Sequence, residues 1–425
     1  MRLAAGRSFT SNFKMEKQNG NLEGSTEEPV NRGDEMTEAS VGATTDHPRV
    51  PFGSNEVRLS FRQWVVTGLI LLAIFWSVPA VWKVVEKFQV GPGYRIPYAL
   101  SRDYWLYERW IGKNIQPNKV IILGDSVVWG EYVDPQGTYG VFLTKKSDRG
   151  QEFINGGVNG LFPLAMEGMV DHYLKLPKGQ KIIVHCNLLW LTSPEADLST
   201  KKEEHFNHAR LVPQFFPKIP CYRADANERL VASLQNRVGF LGWTNHLQDA
   251  YFEQKSILNW TLADNGAEPP EYLNAWRNPL GQITMSVPLA PDPDPLRGVG
   301  SERHHPWSTT GVGTTRFDWV ELRESMQWGA FRRVLEVLRG RGNEVFVVVG
   351  PLNEHLMDAE NRIKYLAIRD GVGEWLSEAK VAHCVLGALP SLLYADASHP
   401  LTAGYEMMAE RTMANEAFKK WMARP

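Results

Sequence analysis

Short apolar runs separated by stretches of helical periodicity leave few folds open to a chain, and from about residue 90 this one alternates between the two. The runs are KVIIL (119–123), EFI (152–154), KIIVHC (181–186), EVFVVV (344–349) and AHCVL (382–386). Such alternation predicts βαβ units and a parallel sheet. The clearest helix falls at 317–342, where Trp319, Leu322, Met326, Phe331, Leu335 and Leu338 recur at helical spacing. Gly340 and Gly342 are expected to end it. A last helix is predicted after Pro400, carrying Tyr405, Met408, Ala409, Met413 and Trp421.

The N-terminal part has a different character. Residues 1–63 hold too little apolar surface to offset the entropy of ordering and read as a disordered tail, in which Met15 is a second possible start. WVVTGLILLAIFWSVPAVW (64–82) follows without a charge. It is long enough to cross a bilayer as a helix, and Trp64 and Trp82 at its ends suit the two interfaces. A buried core helix is the alternative. The run is too long and too far from the N-terminus for a cleaved signal peptide. Arg58 and Arg62 on one side nearly cancel Lys83 and Lys87 on the other, so flanking charge does not orient the span. Residues 83–118 are then a linker and first helix, and Gly91 and Gly93 within them read as a turn rather than a phosphate loop. A net charge of -2 provides no field to attract nucleic acid. Three widely spaced cysteines, Cys186, Cys221 and Cys384, form neither a disulfide framework nor a zinc knuckle.

Polar and glycine-rich residues gather where the apolar runs stop. Gly124-Asp125-Ser126 follows the first, NGGVNG (155–160) the second, Asn187 the third, and Gly350-Pro351-Leu352-Asn353-Glu354-His355 the fourth. In an open parallel sheet these ends share one edge, where ligands bind. A serine there needs a base, and the base needs an orienting acid. YADASHP offers both, with Asp396 three residues before His399. The Ser126 and Gly160 amides and the Asn187 side chain are candidate donors to an oxyanion. No metal or organic cofactor is called for. His205 with His208, and His304 with His305, lack a nearby carboxylate or cysteine at ligand spacing and read as solvated loop histidines.

Together these segments resemble the SGNH (GDSL-type) hydrolase superfamily: GDSVVWG its first block, NGGVNG its second, the Asn of VHCN its third, and DASHP its last. The resemblance covers about 120–190 and 344–415. It implies a flavodoxin-like α/β/α sandwich with a five-stranded parallel sheet, and a catalytic domain over 119–425. By position Ser126 would be nucleophile and oxyanion donor, Gly160 and Asn187 further oxyanion donors, His399 the base and Asp396 its orienting acid. Val127 and Val128 replace the usual Leu and Thr, and His185, Cys186 and Leu188 around Asn187 depart from the usual third block. The span, the long insertion, VHCNLLWLTSPEADL and VVVGPLNEHLM are similar to membrane-associated polysaccharide O-acetyltransferases of the alginate type.

The expectation is therefore a single-pass membrane serine esterase or acyltransferase for O-acyl groups, O-acetyl on a carbohydrate, facing the periplasm. The alternative is a catalytically silent scaffold in an envelope polysaccharide complex. Asn353 and His355 are candidate substrate contacts, with a helix cap and ordinary surface positions as the other reading. The insertion at about 190–316 reads as a small helical lid that binds an acceptor, with Trp260, Trp276 and Trp307 available to stack on sugar faces.

Overall fold

Every apolar run of the C-terminal part becomes a strand. In the computed structural model, which describes residues 59–89, 95–116, 118–147, 150–262, 277–288 and 313–424, these are β1 (Lys119–Gly124), β2 (Glu152–Gly157), β3 (Lys181–Cys186), β4 (Glu344–Val349) and β5 (Ala382–Val385). They form one sheet in the order β2-β1-β3-β4-β5, parallel throughout. This is the flavodoxin-like order. Strands covered on both faces are apolar at successive positions. Ile121, Leu123, Ile182, Val184, Val345 and Val347 join the core on one side, and Val120, Ile122, Ile183, Phe346 and Val348 the core on the other.

Along the chain the helices are α1 (Phe61–Val85), α2 (Tyr104–Asn114), α3 (Ser126–Trp129), α4 (Tyr139–Lys145), α5 (Pro163–His172), α6 (Ala226–Arg237) and α7 (Gly239–Tyr251). Then come α8 (Ile257–Leu262), α9 (Pro279–Gln282), α10 (Met326–Gly340), α11 (Ala359–Glu378), α12 (Thr402–Ala414) and α13 (Glu416–Met422). Residues of α2, α5, α10 and α11 fill the first core, and those of α4, α12 and α13 the second. The result is a three-layer α/β/α sandwich.

Three boundaries differ from the sequence reading. β2 continues through Asn155, Gly156 and Gly157, because their backbones pair with Ile122, Leu123 and Gly124. The helix read at 317–342 begins only at Met326. Ser325 caps it, accepting from the Trp328 amide at 2.9 Å. Asp197 accepts from the Ser325 hydroxyl and from the amides of Met326 and Gln327. The preceding segment instead lies on α11, where Asn361 Oδ1 accepts from the Phe317 amide and the Trp319 indole. After Pro400 there are two helices, since Asn415 leaves helical geometry and accepts from the amides of Ala417 and Phe418. Trp421 therefore sits on α13. At the end of α10 it is Gly342, at φ 81°, that supplies the left-handed turn.

α1 is long and apolar enough to cross a membrane. It runs past both ends of the uncharged stretch, and Trp64, Leu69, Leu71 and Trp76 are 60–75% exposed. Just beyond it, Glu86 is buried under α2 and α7. Its carboxylate accepts from Trp82 Nε1 (2.9 Å), His246 Nε2 (2.9 Å) and the Tyr251 hydroxyl (2.6 Å), and is paired with Arg109. His246 Nδ1 donates to Asp103 at 2.6 Å. Burial opposes the charge on Glu86, but the bonds from His246, Tyr251 and Trp82 outweigh it and hold the carboxyl down at about 2. Burial likewise opposes charge on His246, and the two carboxylates outweigh it, pushing it up to about 9.

The insertion carries α6 to α9. Of its tryptophans, Trp260 is 7% exposed and packs edge-on to Phe252, so it is not free to stack on a sugar. Trp276, Trp307, His304 and His305 lie outside the described residues, as do Gly91, Gly93 and residues 1–58.

Candidate functional site

The C-terminal end of β1 turns at once into α3, and this turn fixes the serine. Asp125 caps the helix by accepting from the Val127 amide at 3.1 Å, and Ser126 is its first residue. A first-turn amide has no partner within its own helix, so the Ser126 N–H is available to a ligand. Gly130 closes the helix at φ 90°, where a Cβ would come within 2.5 Å of Thr138. Arg95, buried, lies 3.7 Å over the Trp129 ring and donates to the carbonyls of Trp129 and Gly130. The Trp129 indole donates to the Ile96 carbonyl at 2.7 Å.

The loop before α12 brings the other two residues. His399 Nε2 lies 2.7 Å from Ser126 Oγ, and Nδ1 lies 2.7 and 2.8 Å from the two Asp396 oxygens. Asp396 also accepts from the amides of Ser398 and His399, both at 2.9 Å, so its loop is organised by its own carboxylate. Burial opposes ionisation of Asp396, but His399 and these amides outweigh it and keep the carboxyl below the usual range. Burial also opposes charge on His399. The Asp396 carboxylate outweighs it, with Glu131 and Asp125 adding to the effect, and pushes the imidazole up to about 9. A hydroxyl held this way can pass its proton to the imidazole as it attacks an electrophilic carbon.

The expected oxyanion donors gather at the same edge, with one qualification. Gly160 is partly exposed at φ 74°, and a Cβ there would collide with the Asn207 side chain at 2.3 Å. Glycine is thus required both by conformation and by space. Asn187 is buried, and one of its Nδ2 protons goes to Asp125 Oδ2 at 2.8 Å, leaving only the other for a ligand. Its Oδ1 accepts from the Leu189 amide.

Asn353 and His355 are both tied to the backbone of neighbouring loops. Asn353 is fully buried; its Nδ2 donates to the Asp396 carbonyl at 3.1 Å and its amide to the Ala397 carbonyl at 2.9 Å. It holds the Asp396 loop. His355 Nε2 is tied to the Leu389 carbonyl at 2.9 Å. His208 is also not solvated. It is 4% exposed, accepts from the Tyr104 hydroxyl at 2.9 Å and donates to the Asn159 carbonyl at 2.8 Å. Burial drives its pKa down to about 4, which keeps it neutral for that pairing.

Several residues at the site carried no separate signal in the sequence. Trp190 Nε1 donates to Asp125 Oδ2 at 2.9 Å, beside Asn187. Glu131 Oε2 is 3.3 Å from His399 Nε2, on a side chain 32% exposed. Tyr132, at φ 67°, sets its ring edge-on to His399 at 5.3 Å. Backbone strain in a bulky residue beside a reactive group often serves a site. The only sequence hint to Glu131 and Tyr132 was their closeness to the GDS segment. Comparison with models of known protein families and with curated proteins gave no match to this chain.

Proposed function

We propose that this protein is a membrane-anchored serine esterase or acyltransferase of the SGNH type. One observation carries the reading: a serine hydroxyl, an imidazole and a carboxylate lie in hydrogen-bonded line at the C-terminal edge of a parallel sheet. Ser126 Oγ attacks the acyl carbon while its proton passes to His399 Nε2. The oxyanion is met by the amides of Ser126 and Gly160 and the remaining Nδ2 proton of Asn187. His399 then protonates the departing alkoxide, leaving an acyl-Ser126 ester. Water or an acceptor hydroxyl gives its proton to His399 and attacks that ester, and His399 returns the proton to Ser126 Oγ as the acyl C–O bond breaks. Asp396 keeps Nδ1 protonated throughout.

An O-acetylated carbohydrate is the proposed substrate, on the resemblance to membrane-associated polysaccharide acetyltransferases. A catalytic part outside the cytoplasm follows from the same reading. A fluorophosphonate should label the purified full-length protein at Ser126, as mapped by peptide mass spectrometry. Absence of labelling at Ser126 in folded protein would leave the silent-scaffold reading in its place.

A further inference from the structure

We propose that the α6–α7 hairpin is a second membrane-contacting element, its tip seated in the interfacial layer of the bilayer beside α1. The inference rests on α1 being a membrane helix. Three contacts set the depth of the hairpin. Phe240 stacks on Phe75 with centroids 4.5 Å apart, Trp243 meets Trp82 at 5.3 Å, and His246 bonds to Glu86 at 2.9 Å. Read upward, 240, 243 and 246 of α7 follow 75, 82 and 86 of α1, so the two helices run in the same direction toward the catalytic domain. α6 therefore descends and α7 ascends, and the turn between them is the lowest point of the pair.

Trp82, at the end of the uncharged run, marks the interface on this reading. It lies one helical turn before Glu86, or about 6 Å at 1.5 Å rise per residue. Phe240 lies six residues before His246, or about 9 Å along α7. The tip thus passes the level of Trp82 toward Phe75, which is itself inside the apolar run. The tip passes Trp82 by about 3 Å along the axes, within the shallow part of the layer about 5–10 Å deep that an interfacial helix occupies.

The residue types fit that depth. The turn Val238-Gly239-Phe240-Leu241 is uncharged, and Arg237, exposed, stands beside it where lipid phosphates would lie. α6 exposes Leu230, Val231 and Leu234 at 51, 49 and 42%, on one helical face. The lipid surface that covers α1 continues onto these side chains. Two points of contact, with Glu86 locked between α1, α2 and α7, hold the domain at a fixed tilt and rotation to the bilayer.

The test uses the full chain in lipid vesicles with single cysteines introduced for an environment-sensitive fluorophore. The native Cys186, Cys221 and Cys384 are buried, so the label goes to the new site. Gly239→Cys probes the tip, Gly68→Cys the span, and Gly387→Cys the loop after β5 at the C-terminal edge of the sheet; a Cβ at each meets nothing within 4 Å. Nitroxide-bearing phospholipids then report contact with acyl chains. The expected result is quenching at 68 and 239 but not at 387, with position 239 quenched more by a nitroxide near the headgroup than by one at the chain end. Quenching at 68 with 239 behaving like 387 would overturn the hairpin contact and leave the membrane helix standing. No quenching at either 68 or 239 would overturn both.

Discussion

Glu131 presents the sharpest question at the scale of a residue. Ser126 Oγ and the Glu131 carboxylate both face Nε2 of His399, at 2.7 and 3.3 Å. A carboxylate there favours the imidazolium, whereas the proposed attack needs the neutral imidazole. Asp396 and Asp125 push the same way, while burial opposes them. With His399 at about 9, ester cleavage should rise with pH across the neutral range and level off near that value. Glu131→Gln removes one negative charge, lowers the imidazole pKa and should move the rising limb to lower pH by roughly one unit. A limb that stays put in a pH–kcat/KM profile would mean that Glu131 does not act on His399. Asn353→Ala is the companion change. It frees the Asp396 carbonyl while the backbone bond to Ala397 stays, and loss of alignment should lower kcat by about tenfold to a hundredfold with KM nearly unchanged. A change confined to KM would return Asn353 to the role of a substrate contact.

The elements themselves were largely legible, because strands and helices announce themselves within a few residues. KVIIL, KIIVHC and EVFVVV are apolar at nearly every position and could hardly be anything but buried strands. Asp396 and His399 lie three residues apart, so their pairing could be read locally. What could not be read were partners distant in sequence. Asp197 stops α10 from starting early at a separation of 128 residues from Ser325. Asn353 reaches Asp396 over 43, and Arg95 reaches Gly130 over 35. The contact of the insertion with the base of α1 through α7 was illegible for the same reason, since no local pattern records it. That junction makes an element-scale prediction. Glu86→Gln leaves His246 and Arg109 buried with one carboxylate fewer, which should cost about 3–5 kcal/mol in chemical unfolding. Glu86, lowered from 4.5 to about 2, contributes fully above pH 4.5 and loses its contribution as pH falls through 2. His246, raised from 6.5 to about 9, contributes fully below pH 6.5 and loses its contribution as pH rises through 9. Stability from this network should therefore plateau between about pH 4.5 and 6.5 and decline toward 9. The decline should be shallower in Glu86→Gln, and an equal slope in the two proteins would contradict the network as drawn.

For the whole molecule, the sheet, the apolar helix and the reactive edge form one mechanical unit: β1 leads into Ser126, Arg95 grips the end of α3, and Glu86 locks the base of α1. Protease added to spheroplasts should digest the part beyond α1 if it lies outside the cytoplasm, and digestion of the tail alone would reverse that topology. The central claim is that Ser126 is a nucleophile activated by His399. Its most direct test is p-nitrophenyl acetate turnover by the full-length protein and by Ser126→Ala, with thermal unfolding of both. The account predicts loss of about a thousandfold or more in kcat/KM at an unchanged unfolding temperature. Full activity in Ser126→Ala would contradict it.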